Sequence, residues 1–255
     1  IIPRHIDRDM ISSILAKELH KQAPQAQISL DEAEIDLLPV PHLSLKNLSV
    51  VLPGRTLIQI RRLAGYPDLM SLLSGSPRVE RIHLQDPKVV LDLQDKPPDW
   101  QQSGDTTRLS ELLGTLPKLR GEIENGEVEV FGETVLHMED IHAELEIAER
   151  IRLNLRAESN FGRGLNLALE SDPKRSRLQG TFRGRELRFE LFTPFLPRDI
   201  AKWIGSTDIH MASDFSFAGR KDYSAAVRFS PSRIQLTSEN VTGRVRLEAG
   251  RGIIS

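Results

Sequence analysis

The chain contains no cysteine. Disulfides, a thiolate nucleophile and cysteine-ligated zinc are excluded at once, while the redox character of the compartment stays open. A basic excess is also missing: 34 Lys and Arg stand against 36 Asp and Glu, for a formal net charge of −2. Such a balance does not supply the phosphate-neutralising charge of a nucleic-acid binder, so no nucleic-acid partner is expected. Tyrosine and tryptophan are scarce, two of each in 255 residues. No run approaches the ~18 consecutive apolar residues of a membrane-crossing helix, and no signal peptide is visible. The chain opens Ile1-Ile2-Pro3, not with Met, which suggests a piece of a longer protein and leaves room for a membrane anchor upstream of residue 1.

What is present is strand-like alternation. A helix is expected near the start, because Met10, Ile11, Ile14, Leu15 and Leu19 recur at three- and four-residue spacing behind Asp7 and Asp9. After Pro24 the period drops to two, in Ala33/Ile35/Leu37 and Leu43/Leu45. Residues 67–73 read as a short helix ending before Gly75, and strands resume at 79–84 and 89–93. Residues 95–107 turn to Lys, Pro, Asp, Gln, Ser and Gly, the strongest linker composition in the chain. A module over 1–98, a linker with a short helix over 99–120, and an antiparallel meander over 121–255 follow from this reading.

Within the meander the alternation continues through Ile141/Ala143/Leu145/Ile147, Ile151/Leu153/Leu155, Leu165/Leu167/Leu169, Leu187/Phe189/Leu191, Ile209/Met211, Phe215/Phe217, Tyr223/Ala225/Val227/Phe229 and Val241/Val245/Leu247. Residues 194–204 alone look helical there. Asn125-Gly126 is either a hairpin turn or a bulge in one continuing strand, since apolar parity changes between Ile123 and Val128. Residues 121–149 hold ten acidic and no Lys or Arg side chains, whereas 150–190 hold ten basic and five acidic ones. Neighbouring strands can pair these charges across a polar face.

The search for chemistry returns little. His137 and His142, five apart, do not share a strand or helix face as metal ligands would. No nucleophile elbow or dinucleotide loop is present, and Glu127 and Glu129 read as a solvated strand face. No catalytic residue, metal or cofactor is assigned. The expected fold is mainly β with a few short helices. Its many half-apolar strands form a curved, largely antiparallel sheet with an open groove, or alternatively a packed β-sandwich. If a groove, its candidate lining is Leu145, Ile147, Leu153, Leu155, Leu167, Leu169, Phe215, Phe217, Val227 and Phe229.

The order of motifs carries a resemblance. Helix 7–22 precedes Ile35-Asp36-Leu37-Leu38-Pro39-Val40-Pro41-His42-Leu43-Ser44-Leu45-Lys46-Asn47-Leu48; Tyr66-Pro67-Asp68-Leu69-Met70-Ser71-Leu72-Leu73-Ser74-Gly75 leads to Val79-Glu80-Arg81-Ile82-His83-Leu84-Gln85-Asp86-Pro87-Lys88-Val89, with Asp99-Trp100 behind it. Ile123-Glu124-Asn125-Gly126-Glu127-Val128 then begins a further strand. Over residues 5–130 this series resembles the AsmA-like family of bacterial envelope proteins. That resemblance implies a non-catalytic protein on the periplasmic face of the inner membrane, related in shape to chorein-type bridge-like lipid transfer proteins. It also implies phospholipid as the ligand, a role in outer-membrane assembly and lipid homeostasis, and an anchor that this chain lacks. The rival expectation is a structural or adaptor domain binding envelope partners.

Overall fold

The computed structural model describes residues 9, 13, 17, 25–36, 40–52, 56–68, 71, 78–93, 118–132, 134–172, 177–195, 207–218, 222–234 and 252–254; for 194–195, 207–209, 217–218, 222–234 and 252–254 it describes the backbone alone. Thirteen strands form one sheet: β1 (Gln27–Ser29), β2 (Glu32–Asp36), β3 (His42–Leu52), β4 (Thr56–Pro67), β5 (Val79–Asp92), β6 (Leu119–Phe131), β7 (Val135–Ile147), β8 (Ile151–Ser159), β9 (Gly162–Asp172), β10 (Arg177–Leu187), β11 (Thr207–Ala218), β12 (Asp222–Ile234) and β13 (Gly252–Ile254). Spatial order follows chain order, except that β1 and β2 both pair with β3. The sheet is open and does not close on itself. A sandwich is thereby set aside, since every described strand belongs to this sheet.

Every neighbouring pair is antiparallel except β5 and β6, which run parallel from Arg81 opposite Arg120 to Asp92 opposite Phe131. The sheet therefore passes without interruption from one side of the linker segment to the other. Residues 99–117 of that segment, the strand expected near 241–247 and most of the helix expected over 194–204 lie outside the described residues, while Leu119 and Arg120 already belong to β6. Of the first expected helix, Asp9, Ser13 and Lys17 are helical, as is Ser71 of the second.

A row of unusual backbone conformations crosses the sheet. Asn47 on β3, Asp86 on β5, Asn125 on β6, Asp140 on β7 and Glu186 on β10 all have φ between 48° and 55°, and Gly164 on β9 has φ 56°. Ladder registers break or shift beside several of them. Each marks an extra residue that re-phases its strand, so the apolar side chains keep to one face while their numbering changes parity. Leu43 and Leu45 thus continue as Leu48 and Val50, Ile82 and Leu84 as Pro87 and Val89, and Ile123 as Gly126 and Val128. Asn125-Gly126 is accordingly a bulge inside one continuous β6. Asn tolerates this left-handed conformation and β-branched residues do not. Asn125→Val is expected to destabilise the fold by about 1–3 kcal/mol and Asn125→Gly to be near neutral, as read from urea melts.

One expected strand is absent. Leu187 ends β10, and Phe189 and Leu191 lie in a 3-10 helix, Phe189–Phe195, instead of extending it. Phe189 and Phe161 pack against the buried cluster of Ile141, Ala157, Leu165 and Leu187, with Phe161 edge-on to Phe192 at 4.7 Å. Pro194, which has no ladder donor, falls within this turn. A second cluster of Leu30, Ala33, Leu45, Leu48 and Ile60 holds the β1–β4 end.

Candidate functional site

Residues opposite one another in neighbouring strands share a face, so register defines the two surfaces of the sheet. One row runs Ala33, Leu45, Leu63, Leu84, Ile123, Ala143, Leu155, Leu167, Phe182, Ser213 and Val227, one residue from each strand β2 to β12. The next row runs Ile35, Leu43, Gly65, Ile82, Gly121, Leu145, Leu153, Leu169, Gly180, Phe215 and Ala225. These two rows form a band two residues deep and eleven strands wide. At about 4.8 Å per strand it extends close to 50 Å.

All ten candidate groove positions fall on this face. Leu155 and Leu167 sit in the first row with Val227; Leu145, Leu153, Leu169 and Phe215 occupy the second; Ile147 and Phe217 belong to the row beyond it, and Phe229 stands opposite Met211. The side chains of Phe217, Val227 and Phe229 lie outside the described residues. Sequence reasoning missed that Leu45, Leu63 and Leu84 of the first half continue the same band across the parallel β5–β6 step.

Burial along the band is incomplete. Ala143 is buried, but Leu145, Leu153, Leu155, Leu167, Leu169 and Phe182 are each only half-buried, and Ile147 is buried at the band's margin. No second sheet covers them among the described residues. Gly65, within the band, has open space where a side chain would stand. Apolar side chains left partly exposed in one contiguous band mark a surface for binding.

The opposite face is polar. On its β7–β9 part Arg152 meets Glu146 at 3.3 Å and Arg150 meets Glu170 at 2.7 Å, so part of the charge asymmetry between 121–149 and 150–190 is neutralised strand to strand. The Arg150 guanidinium donates to Glu170 and holds its carboxyl below the ordinary value of 4.5. A depressed folded-state pKa contributes stability above the unfolded value and loses it as pH falls through the folded one. Glu170→Gln should therefore be less stable than the parent at neutral pH. The gap should close as pH falls below 4.5, as followed by urea melts across pH.

Further along this face Lys88 donates to Glu127 at 3.0 Å and meets Glu129 at 3.3 Å, with His137 Nδ1 at 3.8 and 3.7 Å from the same carboxylates. The Glu127 contact chiefly raises the Lys88 pKa. Glu127, Glu129 and His137 are close enough to share a cation, but the lysine ammonium already supplies that charge. His142 stands elsewhere, opposite Arg156. No protein-family model matches the chain, nor does any curated protein.

Proposed function

We propose that this chain is a non-catalytic envelope protein that contacts or transfers phospholipid, using the apolar band as the surface that shields acyl chains. The observation that carries this reading is a contiguous apolar band on one face of one open sheet, left partly exposed at Leu145, Leu153, Leu155, Leu167, Leu169 and Phe182. Each methylene removed from water contributes about 0.8 kcal/mol, so a chain lying along the band binds without a polar anchor. Headgroup selectivity is then weak. The resemblance of residues 5–130 to the AsmA-like family supports the periplasmic face of the bacterial inner membrane as the location, with an anchor in the full-length protein. It likewise supports a part in outer-membrane biogenesis.

Native mass spectrometry of protein purified without detergent tests the proposal. Phospholipid should remain bound, at more than one molecule per chain given the length of the band. A lipid-free protein that also fails to take up a fluorescent phospholipid would favour the adaptor reading, in which envelope proteins cover the band.

A further inference from the structure

We propose that the polar face carries a separate site for a phosphate group, formed by Arg156 on β8 and Arg183 on β10. A hollow of about 800 Å³ opens on this face and is lined by both arginines together with His142, Asn166 and Thr181. Register places His142, Arg156, Asn166 and Arg183 in one row on β7, β8, β9 and β10. The two arginines thus flank Asn166 two strand spacings apart, about 10 Å between their backbones. Both side chains are long enough to converge on one ligand between them.

Their charges are uncommitted. Neighbouring Arg150, Arg152 and Arg163 are each neutralised by a glutamate at 2.7–3.3 Å, whereas Arg156 and Arg183 have no ion-pair partner among the described residues. Asn166 donates Nδ2 to the Gly164 carbonyl at 2.8 Å, which keeps a second amide hydrogen for a ligand. The carboxylates that also line the hollow, Glu122, Glu124 and Glu144, belong to β6 and β7, and Glu124 faces His83 at 3.4 Å. Glu144 is diagonal to Arg156 across the β7–β8 pair and Asp214 diagonal to Arg183 across the β10–β11 pair, each at roughly 7–8 Å, and neither forms an ion pair with its arginine; Glu122 and Glu124 stand a further strand away.

The chemistry selects phosphate over a carboxylate. A carboxylate is satisfied by one guanidinium fork, while a tetrahedral phosphate has oxygens enough for two forks approaching from opposite sides. Strand alternation sets this site on the reverse of the apolar band, so it stands or falls independently of the acyl-chain reading. The phosphate belongs either to a headgroup at a bilayer surface or to a soluble phosphate ester.

The test uses the full 255-residue chain. Arginine Nε–Hε NMR signals of Arg156 and Arg183 are identified from the Arg156→Gln and Arg183→Gln variants and followed during titration with inorganic phosphate. Both signals should move along one saturating curve, and either variant should weaken binding at least tenfold. Arg152→Gln, which removes the same unit charge from a partnered arginine, should stay within twofold. Should Arg156→Gln lose its circular dichroism, Arg156→Lys, which keeps the charge and loses the fork, takes its place and should still weaken binding severalfold. Flotation with vesicles of phosphatidylglycerol in phosphatidylcholine, against phosphatidylcholine alone, separates the sources. Arginine-dependent flotation assigns a headgroup, and saturation by phosphate without flotation assigns a soluble ester. Equal losses in all three Gln variants, or no saturation by phosphate and no arginine-dependent flotation, would overturn the site.

Discussion

Leu153→Asp is expected to leave the chain folded while lowering phospholipid binding at least tenfold, a loss of about 1.4 kcal/mol or more. Leu153 lies in the band between Leu145 and Leu169 and is only half-buried. Water can reach a carboxylate placed there, so the several kcal/mol that an unpaired buried charge would cost does not apply in full. The loss of stability should be about 1–2 kcal/mol, in the range of ordinary single substitutions. An acyl chain crossing the same position would meet a hydrated charge and lose its contact. Leu155→Asp should be more damaging to the fold, because Leu155 packs against the cluster of Ile141, Ala157, Leu165 and Leu187. Circular dichroism melts and fluorescent-lipid titration of the two variants measure both quantities. Unfolding of Leu153→Asp would show that the band is a sealed core.

Gly180→Val should destabilise the chain by about 2–3 kcal/mol, the upper part of the range for forcing extra volume into packed structure. A Cβ at Gly180 would stand 2.6 Å from Leu169 Cδ2, 2.7 Å from Phe215 Cζ and 2.7 Å from the Ala168 carbonyl oxygen. The side chains could shift; the backbone oxygen cannot do so without opening the β9–β10 ladder. Glycine is needed here for close approach, since Leu169 and Phe215 from the flanking strands lean over it. Gly65→Val provides the contrast within the same row, because nothing lies within 4 Å of the position its Cβ would take. There the gain in strand propensity should leave stability unchanged or slightly raised. Urea melts of the pair report whether the band is crowded at β10 and open at β4.

The β8 and β9 strands were legible from Leu153/Leu155 and Leu165/Leu167/Leu169 because nothing interrupts their alternation. Strand β4 was not, since its extra residue near Arg61 re-phases Ile58 and Ile60 into Leu63. Strand β10 was hidden in another way: Gly180 and Gly184 occupy apolar-face positions and remove the pattern that periodicity relies on. Leu187, Phe189 and Leu191 misled for the opposite reason, as alternation arose where a turn folds two phenylalanines onto the sheet. Bulge position is set by cross-strand neighbours, so a single-chain pattern shows a parity change without showing its cause. The Arg156–Asn166–Arg183 row was equally out of reach, because it exists only in the register of β8, β9 and β10.

The central claim is that one face of the sheet, and not the other, meets acyl chains. A photo-reactive residue placed in turn at positions 153, 154, 155, 166, 167 and 168, followed by illumination with phospholipid vesicles and counting only adducts on the acyl chains, tests it most directly. Lipid adducts should form at 153, 155 and 167 and stay at background at 154, 166 and 168, the alternation of a strand with one lipid-facing side. Adducts of equal yield at both parities, or none at any position, would contradict the account.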